Sequence, residues 1–235
     1  MASEASSKAV AVYCGSWPGT EKAFTSAAKS LGHALASANR PLVYGGGSKG
    51  IMGVVSGAVL EGNGKATGII PAAMLAAGGE GGGTVDDVRL NEPGREKVEN
   101  VVVGSMHERK VEMARRAGAF VGLPGGFGTF EEVLEVSTWT QLGIHNKPVV
   151  LLNVLGFWDP LRQLINNGVN YGFIKTISKD IIIFVDGPSS HADHETFNWG
   201  EAALQAVDGW KRDPGHGLFR WTAGAEGKTD ALEAT

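Results

Sequence analysis

A chain of 235 residues with 43% apolar and 20% charged side chains has the make-up of a globular protein and the length to bury a large core, which excludes disorder of the whole. Its net charge of −4 gives no general pull toward nucleic acid, so any phosphate it binds must be captured locally. One cysteine, Cys14, excludes an internal disulfide and fits a reducing, cytoplasmic setting; the opening MASEASSK lacks the basic and apolar segments of a secretory signal, and no apolar run reaches membrane-spanning length.

In chain order, Ala9–Tyr13 reads as a buried strand ending at Gly15, followed by a helical pattern through Phe24, Ala27, Leu31 and Leu35. Pro41–Tyr44 is a second strand, closed by Gly45-Gly46-Gly47, and Ile51–Leu60 suits a buried helix. Ala66–Ile70 is a third strand stopped by Pro71. The Gly- and Ala-rich stretch from Ala76 to Gly83 then predicts a mobile loop. Val98–Val103 is a β-branched strand, and Ser105-Met106-His107-Glu108 has the spacing that opens a helix, here running to about Arg116. Ala119–Leu123, the turn Pro124–Gly128 and a helix over Thr129–Leu142 come next. Lys147–Leu152, Trp158–Val169, Ile181–Val185 and Trp199–Trp210 repeat the alternation. Strands and helices alternating this often predict an α/β fold, a Rossmann-like doubly wound parallel sheet with helices on both faces. Residues 1–212 read as one nucleotide-binding domain and 213–235 as a polar, flexible tail.

Glycine makes up 35 of the 235 residues and falls in clusters, the densest of which lies where a strand turns into a helix at Pro124-Gly125-Gly126-Phe127-Gly128-Thr129-Phe130-Glu131-Glu132. Glycines at 125, 126 and 128 let the backbone approach an anion, the amides and positive dipole of the following helix point at it, and the Thr129 hydroxyl adds a donor. No G-K-[ST] ending follows and no acidic residue stands where an NAD ribose would need it, so a monophosphate is expected ahead of a triphosphate or dinucleotide. Glu132 has two readings: catalytic acid, or the far member of a Thr129-x-x-Glu132 capping box. Arg109 and Lys110 lie in the first turn of their helix, where cations oppose the dipole. Arg109 either reaches the anion held by the neighbouring loop or is one of a solvated pair; Met106 and His107 read as packing or surface residues. No His/Cys/Asp/Glu set has metal-ligand spacing.

Four segments together resemble one family. Tyr44-Gly45-Gly46-Gly47, Ser105-Met106-His107-Glu108-Arg109-Lys110, the Pro124–Glu132 loop and Thr138-Trp139-Thr140-Gln141-Leu142-Gly143 are similar to the Lonely Guy (LOG) family over roughly residues 8–186. These are cytokinin riboside 5′-monophosphate phosphoribohydrolases, long mislabelled as lysine decarboxylases. The resemblance implies hydrolysis of a nucleoside 5′-monophosphate to free base and ribose 5-phosphate, a homodimer or higher homo-oligomer, and no cofactor. It also implies Arg109 and Glu132 as the catalytic pair, with Lys110, Gly126, Phe127, Gly128, Thr129, Phe130, Glu131 and Thr138 in the substrate site. Glu80 stands nearest to the family's acidic contact after the third strand. Thr138, six residues beyond Glu132, is about 120° further round the helix and cannot touch the same substrate atom. Three other readings remain beside the cytokinin-specific hydrolase: a general AMP phosphoribohydrolase, a non-catalytic nucleoside-monophosphate-binding carrier or sensor on the same fold, and a pyridoxal-phosphate decarboxylase, which would need a Schiff-base lysine.

Overall fold

The computed structural model describes residues 8–76, 95–213, 217–219 and 232. The loop expected over 76–83 lies, from residue 77 on, outside the described residues, and with it Glu80 and most of the tail. Seven strands form one sheet: β1 (Val10–Tyr13), β2 (Leu42–Tyr44), β3 (Ala66–Pro71), β4 (Val98–Val103), β5 (Ala119–Gly122), β6 (Val149–Asn153) and β7 (Ile182–Asp186). The helices are α1 (Lys22–Ser37), α2 (Gly50–Glu61), α3 (Ala72–Ala76), α4 (Met106–Arg116), α5 (Phe127–Leu142), α6 (Asp159–Asn170) and α7 (Trp199–Asp208). Every strand pair is parallel and the order is β4-β3-β2-β1-β5-β6-β7, the doubly wound arrangement expected from the alternation.

The alternation of side chains along β1 explains why both faces are covered. Val10 and Val12 point into one core with Leu31 and Leu35 of α1, Val55 of α2 and Trp199 of α7. Ala11 and Tyr13 point into the other, with Met113 of α4 and with Val133, Val136 and Trp139 of α5. A strand buried on both faces has to be apolar throughout, which is why these segments read as short unbroken runs. The chain winds outward from β1 to β4, then returns to add β5 on the other side of β1, in register from Val10 opposite Ala119 to Tyr13 opposite Gly122. At such a reversal the loops leaving neighbouring strands part to opposite faces and open a crevice at the strands' C-terminal ends. Here the Gly15 N–H donates to Pro124 O (3.1 Å) and the Ile51 N–H donates to Gly15 O (3.1 Å), so the loops after β1 and β5 and the start of α2 meet at one point.

Helix α5 ends at Gly143, whose left-handed backbone (φ 86°) closes it in the manner favoured by glycine. Its last carbonyls are also used: the amides of Leu218 and Phe219 donate to Gln141 O and Leu142 O, and Leu232 is buried in the same core as Trp139. The described part of the tail is thus docked, because a helix end offers acceptors that its own chain cannot fill.

Just past that helix end the ring of His145 packs 5.2 Å from Phe120, and its Nδ1 accepts the Lys147 N–H (3.3 Å). Burial first, and then the charge of Lys147, push its pKa down to about 3. The unfolded chain takes up this proton from about pH 6.5 downward while the folded chain resists until about pH 3, so the stabilisation is complete above pH 6.5 and is lost across that window. Denaturation of wild type and His145→Leu between pH 7.5 and 3.5 is expected to show a shallower loss of stability with acid in the variant, by up to about 1.4 kcal/mol per pH unit; equal slopes would contradict the assignment.

Candidate active site

Strand β5 stops at Gly122, and the turn Leu123–Gly126 carries the chain into α5. A Cβ at Gly125 would run into Thr129 Oγ1 and the Gly15 amide, so the turn closes against its neighbours only with glycine there. At Gly126 and Gly128, by contrast, a Cβ would meet nothing within 4 Å, and the backbone faces open space. Gly126 is the N-cap, with no side chain bonded to the helix end, and the first bond along the helix runs from the Phe130 N–H to Gly126 O (3.0 Å). The amides from Gly126 to Thr129 therefore have no acceptor one turn back, and they share the positive end of a sixteen-residue helix. The helix starts two residues before the expected Thr129. That places Glu132 in the second turn, so the capping-box reading of its carboxylate fails.

The S-x-x-E signal opening α4 is realised: Ser105 Oγ accepts the Glu108 N–H (3.0 Å), and Glu108 Oε2 accepts the Gly104 N–H (2.6 Å). This start aims Arg109 inward, 5% exposed, and its guanidinium Nη2 lies 4.0 Å from Glu132 Oε1, a carboxylate whose side chain is itself 11% exposed. The thioethers of Met106 and Met74 lie 3.8 and 3.9 Å from Nη1. Space for the guanidinium comes from Gly45, just beyond β2, where a methyl group would overlap Nη2. Beneath the pair, burial and then the charges of Glu132 and Glu135 raise the Tyr13 pKa well above its usual value, so this phenol stays neutral.

These groups surround a cavity of about 160 Å³ at the point where the sheet order reverses. Gly126, Phe127, Gly128, Thr129, Glu131, Glu132 and Arg109 line it, so most of the expected site converges. Gly125 lines a neighbouring groove with Trp17, Phe24 and Phe157 instead. Phe130 turns away, its ring edge-on to Trp158 at 5.7 Å. The ammonium of Lys110 stands outside the wall, bonded to Glu131 (2.6 Å) and Glu135 (2.9 Å); burial opposes its charge, and those hydrogen bonds outweigh it and raise its pKa. Thr138 is further along α5, donating to Leu134 O (2.8 Å) beside a separate groove with Ile165 and Ile174. Val12, Cys14, Gly15, Ser16, Gly45, Met52 and Met106 also line it. Of these, Gly45 was signalled by the glycine triplet ending a strand at the same sheet edge, and Met106 had read as a packing or surface residue. Among the described residues no group of three His, Cys, Asp or Glu side chains could hold a metal ion.

Residues 52–194 match a protein family described as possible lysine decarboxylases. The chain is 46% identical over 182 residues to the probable cytokinin riboside 5′-monophosphate phosphoribohydrolase LOGL1 of Oryza sativa subsp. japonica, covering 77% of this chain and 75% of the relative. It is also 46% identical over 174 residues to the cytokinin riboside 5′-monophosphate phosphoribohydrolase LOG2 of Arabidopsis thaliana, covering 74% and 76%. The chain belongs to the LOG family. More distant LOG-like folds include a molybdenum cofactor binding protein from Rippkaea orientalis (TM-score 0.52, 18% identity, 75% of this chain and 88% of that one). The molybdenum cofactor carrier protein of Chlamydomonas reinhardtii is similar in fold too (TM-score 0.50, 20% identity, 80% and 92%). At these identities the likeness concerns the fold.

The position of Arg109 depends on the missing side chain at Gly45. In a crystal structure of Gly45→Ala the guanidinium is expected to be displaced, with its separation from Glu132 changed from 4.0 Å and a lower unfolding temperature. An unmoved Arg109 would contradict this account of the glycine.

Proposed function

We propose that this LOG-family chain hydrolyses the N-glycosidic bond of cytokinin riboside 5′-monophosphates, which are N6-modified AMP, releasing the free base and ribose 5-phosphate. The observation that carries the reading is the facing pair Arg109 and Glu132 in one cavity with the bare start of α5. The names of the similar rice and Arabidopsis proteins support the substrate class. In this reading the 5′-phosphate rests on the amides of Gly126 to Thr129, which fixes the ribose and brings C1′ to Glu132; positioning of this kind contributes several kcal/mol to a barrier. As the bond from C1′ to the base nitrogen breaks, the electron pair leaves with the base and the sugar becomes oxocarbenium-like. The Glu132 carboxylate stabilises that charge and orients the water whose oxygen bonds to C1′, while the water's proton ends on the departing base. A guanidinium is a poor proton donor, so Arg109 serves by hydrogen bonding to the electron-rich leaving group or the phosphate. The base then lies toward Met52 and Met106, whose soft thioethers suit an apolar N6 substituent.

A carrier or sensor would need the glycine turn but not both charges, so Arg109 and Glu132 together favour turnover. The decarboxylase reading needs a lysine able to reach a carbonyl in the cavity. Among the described residues no lysine lines the cavity, and Lys110 is held by two carboxylates outside it.

Assembly as a homodimer belongs to the same proposal. Helix α6 buries none of its residues, and Leu164, Tyr171, Phe173 and Ile177 are exposed on it and just beyond it, beside the groove that holds Thr138. An apolar patch of this kind favours a second copy. Thr138 then faces that copy and not the cavity of its own chain. Sedimentation is expected to show a dimer that Leu164→Asp with Phe173→Asp shifts toward monomer; a wild-type monomer would remove this part.

Incubation with AMP and N6-prenylated AMP, with the matching nucleosides as controls, tests the reaction. Free base is expected from the monophosphates and not from the nucleosides. Glu132→Gln should still bind nucleotide and lose at least about 10²-fold in kcat. Near-normal turnover of that variant, or cleavage of nucleosides lacking phosphate, would overturn the mechanism.

A further inference from the structure

Lys110 follows Arg109 on α4, and Glu131 precedes Glu132 on α5, so the two helices present a second charged contact directly beside the facing pair. In it the Lys110 ammonium donates to Glu131 Oε1 at 2.6 Å and to Glu135 Oε1 at 2.9 Å. The contact is sheltered: the side chains of Lys110 and Glu135 are 15% and 22% exposed, while Glu131 is at the surface end. Among the described residues the second carboxylate oxygen of Glu135 is buried with no hydrogen-bond partner. Glu135 is three residues from Glu132, hence on the same face of α5. Burial first, and then the charges of Glu132 and Glu135, raise the pKa of the Tyr13 phenol beneath them.

This crowding has a consequence for Arg109. Without the ammonium, a half-buried carboxylate with an unsatisfied oxygen would be left one turn from Glu132, and among the described residues the buried Arg or Lys side chain is Arg109, which faces that same Glu132. We infer that Lys110 and Glu135 are positioning residues: their ion pair clamps α4 to α5 and occupies Glu135, leaving Arg109 to face Glu132. The inference rests on the hydrolase reading for its catalytic effect, and on the geometry alone for the clamp. Lys110 then takes a role through Arg109 in place of direct contact with substrate.

The test compares wild type, Lys110→Met, Glu135→Gln, the double variant and Lys110→Arg, reading kcat and KM on N6-prenylated AMP together with the midpoint of thermal unfolding. Lys110→Met is expected to lower kcat about tenfold or more with KM changed less than about twofold, since binding remains and alignment is lost. The double variant should recover at least half of the logarithmic loss in kcat and in unfolding midpoint, because the stranded carboxylate is gone. Lys110→Arg should stay near wild type. A raised KM with unchanged kcat in Lys110→Met would make Lys110 a substrate contact and overturn the inference, as would a double variant no better than Lys110→Met. An inactive wild type would overturn the hydrolase reading and the catalytic half of this one; the unfolding midpoints still decide the clamp, since additive losses would refute it whatever the activity.

Discussion

Arg109 is a charge taken almost wholly out of water, and a guanidinium in that position persists only where opposite charge and polarisable contacts replace the lost hydration. Glu132 supplies the charge and the sulfurs of Met74 and Met106 supply much of the contact. Neither would suffice if the backbone beyond β2 carried a side chain at position 45. The surrounding fold can be seen as the means of keeping that pair apart by 4.0 Å and beside a helix start. The switch in strand order opens the crevice, the Ser105 cap sets the entry of α4, and the turn at Gly125 sets the entry of α5.

The same arrangement explains why an acidic protein can hold an anionic ligand. The net charge of −4 repels phosphate at long range, and three carboxylates, Glu131, Glu132 and Glu135, lie within five consecutive residues of α5. Binding must come from donors aimed at short range. In the proposed reading the amides of Gly126 to Thr129 supply them without a mobile cationic side chain, at little cost in conformational freedom because the helix already fixes them. Lys110 balances Glu131 and Glu135 behind that helix start, and Arg109 faces Glu132 beside it.

Much of this was legible in the order of residues. Unbroken apolar strands between helical patterns revealed a parallel sheet, because burial on both faces leaves no polar alternation to obscure the pattern. Helix α4 began at its S-x-x-E signal, since a capping interaction is local. Helix α5 began two residues earlier than expected because its cap is a bare glycine, with no side-chain signal to read, and the error kept a capping role for Glu132 open. Tertiary relations were hidden. Nothing near Gly45 in the chain shows that its Cα faces a guanidinium contributed from residue 109, and Lys110 looks like a solvated cation until Glu131 and Glu135 are brought to it by the packing of two helices. Thr138 was separated from Glu132 by helix geometry alone, and the separation holds.

The central claim is that the start of α5 receives the phosphate of a sugar ester and presents its C1′ to Glu132. A crystal structure of the protein soaked with ribose 5-phosphate addresses it most directly. The account requires phosphate oxygens within hydrogen-bond distance of the amides at 126–129, with C1′ turned to the carboxylate of Glu132. A sugar phosphate bound elsewhere, with those amides making no contact to it, would contradict the claim.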